Sequence, residues 1–229
     1  MKYQYTKSIL ATIGSRCNAG VIHHLNGVLN YLNIGWWFKK NGYAGYPVFE
    51  DRPSLYKHVY SCISEPVSYV EFGVFKGASM RIWSGQLKNE ESKLDGFDSF
   101  EGLPEVWRMA ADEKTFDVDG AIPDIDDKRL DFHKGWFEDT LPSFERDFTS
   151  KGQLILHLDA DLYSSTKYVM DYLEKHMVSG TILIFDELFD REHELKALDE
   201  FLAVNPYKLE CIGSTRGMTQ AAFKILSRE

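Results

Sequence analysis

The sequence predicts an α/β fold, a doubly wound and mostly parallel seven-stranded sheet with an antiparallel terminal strand, preceded by an N-terminal helical cap. Three observations predict it. From about residue 67, short β-rich runs ending in Gly or Asp alternate with stretches of helical period. Most connections are long enough to hold a helix, which returns the chain to the same end of the sheet and makes neighbouring strands parallel. The last two runs are separated only by STRGMTQ, enough for a hairpin and too little for a crossover.

Residues 1–66 lack the alternation and form a cap or lid segment, leaving 67–229 as the ligand-binding domain. Within the first segment PSLYKHVYSCIS reads as a helix, while the aromatic-rich GWWFKKNGYAGYPVF suits a packed cap or part of a lid. The strands are then SYVEF (68–72), LDGFD (94–98), RLDFH (129–133), QLILHLD (153–159), TILIFD (181–186), YKLECI (207–212) and AAFKIL (221–226). Between them GASMRIWSGQLK, FEDTLPSFERDF, SSTKYVMDYLEKHM and REHELKALDEFLA read as helices, the third capped at Ser164 or Ser165 and stopping before Gly180.

Composition narrows the class. At 229 residues with 44% hydrophobic and 14% aromatic content, the chain can bury a core and is neither disordered nor fibrous. A net charge of −9 with scattered positive residues argues against nucleic acid as a partner and suits a small neutral or cationic ligand. Cys17, Cys62 and Cys211 lie too far apart to suggest a disulfide framework or a zinc site, so a reducing, cytoplasmic setting is expected. The apolar stretch around Ile9 to Ile13 is short for a secretory signal, and no run approaches the roughly 20 residues of a membrane span. No membrane partner is expected, and homo-oligomerisation is left open.

The first motif is EFGVFKG, where a strand runs into a helix. Gly73 and Gly77 sit where the backbone must turn and approach a ligand, and Ser79 adds a donor at the helix start. Its GxxxG spacing is not the GxGxxG of dinucleotide sites, and read alone it fits an ordinary tight connection equally well. Asp98, at the end of the next strand, raises its value, because a carboxylate there can accept both hydrogen bonds of a ribose diol. The competing role for Asp98 is to cap the turn from Ser99 to Pro104.

The second constellation is acidic. HLDADLY and IFDEL place Asp159, Asp161, Asp186 and Glu187 at two strand ends, the side of an open α/β sheet where ligands bind. Four like charges in one crevice require shifted pKa values or a cation, and a hard ion with oxygen ligands such as Mg²⁺ fits. Such an ion acidifies and orients a bound hydroxyl, with Asp161 as the base that takes the proton. Any single one of these acids serves equally well as a helix cap. His157 shares the strand parity of Asp159, but the expectation for it is a packed or hydrogen-bonded role, and for His193 a place at the surface or behind the ligand-binding residues.

Taken together, YVEFGVFKG, GFDSFEGLPE, HKGWFEDTLP and LHLDADLYSSTKYVMDYLEKHMVSGTILIFDEL resemble the macrocin O-methyltransferase family of S-adenosylmethionine-dependent sugar O-methyltransferases, over roughly residues 68–190. The resemblance implies a class I methyltransferase (Rossmann-like) fold. It implies that Glu71, Gly73 and Gly77 hold the methionine end of S-adenosylmethionine and Asp98 the ribose, that Gly135 and Trp136 lie near the adenine, and that Ser79 and Ser99 belong to the same cofactor-binding set. It also implies Mg²⁺ on Asp159, Asp186 and Glu187, a base at Asp161, and a sugar hydroxyl of a glycosylated metabolite or polysaccharide as acceptor. The sequence departs from the family in having Asp186–Glu187 where the family usually has two Asp. A catechol-type phenol is the competing acceptor, and a non-catalytic module that keeps the fold is the competing class. The acidic stretch 105–127 suits a lid over the cofactor or a surface insertion.

Overall fold

The structure, a computed structural model, describes residues 2–107 and 113–228. Its elements are α1 (Lys2–Gly14), α2 (Ala19–Lys40), β1 (Val48–Phe49), α3 (Arg52–Ser61), β2 (Val67–Phe72), α4 (Ala78–Gln86), β3 (Lys93–Asp98), β4 (Leu130–Lys134), α5 (Phe137–Asp147), β5 (Gln153–Leu158), α6 (Tyr163–Leu173), β6 (Ile182–Phe185), α7 (Glu194–Val204), β7 (Tyr207–Thr215) and β8 (Ala221–Arg228). The sheet order is β1-β7-β8-β6-β5-β2-β3-β4. The pairs from β4 through β6 are parallel, and β8 runs antiparallel to both β6 and β7.

The expected hairpin is present, and its antiparallel strand is last in sequence but lies inside the sheet between β6 and β7. The sheet has eight strands where seven were expected. The additional strand is β1, two residues paired parallel to β7 at Val48↔Ser214 and Phe49↔Thr215. Two residues carry no readable period, so only the fold reveals it.

Both faces of the sheet are covered, which explains why its central strands read as continuous apolar runs. Successive side chains point to opposite faces. Val70, Phe72, Leu156, Leu158, Leu183 and Phe185 pack with residues of α5, α6 and α7 and with Ile34, Trp37 and Phe38 at the end of α2. Val67, Tyr69, Ile155, Ile182 and Ile184 pack on α3 and α4 through Leu55, Tyr56, Val59, Met80 and Trp83. The aromatic stretch around Trp37 is thus part of the core, with Phe38, Tyr43 and Phe223 in ring contact. By contrast, α1 and the front of α2 expose Ile9, Leu10, Ile13, Leu25 and Leu32.

No helix among the described residues is long and apolar enough to cross a membrane. In the 105–127 stretch, residues 108–112 lie outside the described residues. On either side of them, Trp107 packs with Leu103, Phe116 and Leu162, so this stretch closes over the start of α6.

Candidate active site

A pocket opens at the carboxyl ends of β2, β3, β5 and β6, where an open parallel sheet receives its ligands. Of the residues singled out from sequence, Gly73, Asp98, Ser99, Trp136, Asp159, Asp161, Asp186 and Glu187 line it. Glu71, Gly77, Ser79 and Gly135 do not line it.

Strand parity accounts for Glu71. It shares the face of Tyr69, so its fully buried side chain points toward α4, where it accepts a hydrogen bond from the Ser79 hydroxyl and one from Tyr69 Oη at 2.6 Å. Gly77 precedes α4 at φ 71°, with its amide bonded to Val74 O at 2.8 Å. Gly135 donates its amide to Asp98 O at 3.0 Å. These residues shape the pocket wall from behind.

Gly73 is irreplaceable for two reasons. Its φ is 95°, and a Cβ would lie 1.8 Å from the carbonyl oxygen of Asp159. The turn after β2 therefore rests directly on the end of β5. Asp98 accepts the amides of Val74 and Phe75 on Oδ2, at 2.8 and 2.7 Å, and that of Phe100 on Oδ1 at 2.6 Å. Burial raises its pKa against these three bonds, which lower it. Both roles foreseen for Asp98 are thus compatible. It organises the turn, and Oδ1, which accepts one amide against two on Oδ2, keeps a lone pair for a ligand. Ser99 Oγ donates to Gly102 O at 2.8 Å, and Trp136 remains 36% exposed at the rim.

The other side of the pocket is a charge network. Asp159 follows β5 and Asp186 follows β6, and the register Leu158↔Phe185 makes them neighbours. One donor atom each from His157, Asp159 and Asp186 lies within 4.8 Å of the others. Burial and the neighbouring Asp186 push the Asp159 carboxyl well above the usual carboxylate range. Asp186 is also buried, yet the hydrogen bond and charge of His157, with Arg52, hold it below that range.

His157 was expected to be structural, and it is fully buried and hydrogen-bonded. It also joins the acid cluster. Nδ1 lies 2.7 Å from Tyr69 Oη and Nε2 3.1 Å from Tyr56 Oη. Burial alone would lower its pKa, but Asp186 and Glu71 outweigh burial and raise it to about 9. The hydrogen bonds agree with a charged ring. An imidazolium donates to both tyrosine oxygens, Tyr69 Oη donates in turn to Glu71, and Tyr56 faces Asp186 Oδ1 at 3.5 Å.

Three contributors were not foreseen. Arg52 and Tyr56 stand one turn apart on α3, and Arg52 pairs with Asp186 Oδ2 while its Nη1 lies 3.8 Å from Asp159 Oδ2. Tyr56 lies on the helix PSLYKHVYSCIS read from sequence and Arg52 just before it, but nothing local tied that helix to the strand ends. Glu194 is fully buried at the start of α7, and its Oε2 accepts the Glu187 amide at 2.9 Å. Its Oε1 has no partner among the described residues, and burial drives its pKa well up, with Asp159, Asp186 and Asp161 adding to the rise.

A hard divalent cation fits this donor set. Carboxylate oxygens converge from two strand ends, an unpartnered buried carboxyl oxygen stands behind Glu187, and Asp161 and Glu187 face the same pocket. S-adenosylmethionine fits the other side, where Gly73 lets backbone approach and Asp98 presents its carboxylate.

Comparison with known proteins agrees with this architecture. Demethyldecarbamoylnovobiocin O-methyltransferase of Streptomyces niveus is 27% identical over 158 residues, which is 60% of this chain and 59% of that one. The 8-demethyl-8-(2,3-dimethoxy-alpha-L-rhamnosyl)-tetracenomycin-C 4'-O-methyltransferase of Streptomyces olivaceus is 30% identical over 146 residues, 53% of each chain. The chain therefore spans only 53–59% of the length of these curated relatives. Among solved structures, the calicheamicin methyltransferase CalS11 has a TM-score of 0.56 at 22% identity, covering 75% of this chain and 76% of that one. The O-methyltransferase NovP has 0.54 at 22%, covering 77% and 78%. These two likenesses establish a shared class I methyltransferase fold. Residues 57–210 match the family described as macrocin O-methyltransferase, and with the strand order and strand-end pocket above, the chain belongs to that family.

Proposed function

We propose that this protein is an S-adenosylmethionine-dependent, Mg²⁺-assisted O-methyltransferase acting on a sugar hydroxyl of a glycosylated metabolite or polysaccharide. The observation that carries the reading is a single pocket with two chemically different sides, the Gly73–Asp98 turn and the Asp159–Asp186 pair. The relatives named above support the sugar-hydroxyl acceptor.

Bound S-adenosylmethionine supplies an activated methyl on sulfonium, and a bound divalent ion would supply a Lewis acid that acidifies and orients the acceptor hydroxyl. In this reading Asp98 Oδ1 accepts from a ribose hydroxyl, the amides and open space at Gly73 admit the amino-acid end, and Trp136 borders the base. Asp159, Asp186 and Glu187 would hold the ion, with Glu194 fixing the Glu187 backbone. Asp161 would take the proton of the acceptor hydroxyl as it receives the methyl. The products are the methyl ether and S-adenosylhomocysteine. Phe75, Phe116 and Phe137 give the pocket apolar walls that would limit water at the transfer.

Calorimetry with S-adenosylmethionine and NAD, followed by methyl transfer to a panel of glycosides and catechols with Mg²⁺ or excess chelator, tests the reading. Expected are selective binding of S-adenosylmethionine and chelator-sensitive methylation of a glycoside. Preferred binding of NAD would overturn the cofactor, full activity in chelator the metal, and catechol-only turnover the acceptor.

A further inference from the structure

The chain already places a cation on the proposed metal ligands. Asp51 caps α3 by accepting the Ser54 amide, which fixes the direction in which the helix leaves β1 and aims its first residue at the strand ends. That residue is Arg52. Its guanidinium spans Asp186 Oδ2 and Asp159 Oδ2, one oxygen from each carboxylate that defines the cluster with His157. The other contacts of Asp186 are longer. Gln220 Nε2 lies 3.3 Å from Oδ2, and Tyr56 and His157 face Oδ1 at 3.5 and 3.6 Å. Arg52 also lies outside residues 57–210, the stretch matched to the family.

A divalent ion and this guanidinium exclude one another. An ion held at roughly 2.1 Å from both oxygens occupies the space of the N–H groups directed at them. It also places like charges a few ångströms apart, where repulsion is strong. Arg52 has room to leave, because its side chain is 34% exposed and borders the open pocket, whereas Asp186 is 3% exposed and fixed.

We propose that Arg52 is a resident counter-cation that competes with the divalent ion for Asp159 and Asp186, so that ion binding requires the guanidinium to withdraw. The proposal rests on the metal reading above. It makes the N-terminal segment a determinant of metal affinity. It also gives Arg52 a positioning role, holding the Asp159 and Asp186 carboxylates in place until the ion arrives.

The test is direct Mn²⁺ titration by electron paramagnetic resonance, repeated with Mg²⁺ by calorimetry, on the whole chain without cofactor or acceptor. Wild type is compared with Arg52→Gln, Arg52→Lys and Asp159→Asn. Loss of the competing charge is expected to tighten ion binding by about tenfold or more in Arg52→Gln. Arg52→Lys, which keeps the charge without the two-pronged geometry, is expected to lie between it and wild type, and Asp159→Asn to lose the site. Arg52→Gln should also melt lower than wild type in chelator and gain more from added Mg²⁺. If wild type binds the ion and both Arg52 variants bind no tighter, the Arg52 proposal falls alone. If no variant binds an ion, the metal reading falls and takes this proposal with it. Circular dichroism identifies a misfolded Arg52→Gln, in which case the Arg52→Lys comparison decides.

Discussion

The two sides of the pocket are built on opposite principles. Around β2 and β3 the backbone does the organising, with three amides converging on Asp98 and Gly73 pressed against the Asp159 carbonyl. Around β5 and β6 the side chains do it, as Arg52 and Tyr56 from α3 join His157 of β5 to balance Asp186 and Asp159. A backbone site holds one shape whatever its ionic surroundings. A charge network depends on every member, and on pH and bound ions.

Asp159→Asn tests the separation of the two sides most severely. With the proposed ion site broken, turnover should fall by about a thousandfold or more, the several kcal/mol of transition-state stabilisation that a catalytic ion would supply. Affinity for S-adenosylmethionine, measured by calorimetry, should stay within about threefold, a change of well under 1 kcal/mol. A joint loss of both would show that the sides are one unit. Gly73→Ala should be the largest structural lesion, because its new Cβ meets backbone that no rotamer change can move. A loss of about 3 kcal/mol or more in urea unfolding is expected. Wild-type stability would contradict a rigid turn.

Asp98→Asn removes a charged acceptor while keeping the shape. About 2 kcal/mol, or a ten- to hundredfold weaker S-adenosylmethionine affinity, is expected with little change in ion binding. The smallest effect concerns pH. The folded pKa of His157 is raised to about 9 from an ordinary 6.5, so the protonated ring stabilises the fold fully below pH 6.5 and loses that contribution as pH rises toward 9. Groups facing the ring are Glu71, Asp186, Tyr56 and Tyr69. In chelator, the melting temperature should fall across this interval by the equivalent of about 1–3 kcal/mol. A flat profile would show that the ring is neutral in the fold.

The same contrast sets what was legible in the sequence. The β2 turn was readable because its requirements are local: Gly73 marks a positive φ at a strand end, and Asp98 ends the next strand. The acids after β5 and β6 were readable for the same reason. Glu71 looked like part of the turn because it precedes Gly73, but its position along β2 turns it to the α4 face. Arg52 and Tyr56 were not readable, because their partners Asp186 and His157 are more than a hundred residues away and α3 shows no motif that declares its target. Strand β1 went unseen because its pairing with β7 is entirely long-range.

The position of α3 has an evolutionary consequence. The stretch shared with the family begins at residue 57, just after Arg52 and Tyr56, so part of the ionic balance at the strand ends is carried by chain outside that stretch. Divergence before residue 57 can therefore retune the chemistry at the strand ends while every strand of the shared stretch stays as it is. Exchanging such leading segments between relatives would transplant a new ionic setting together with any new acceptor preference, so a hybrid would have to be matched for both.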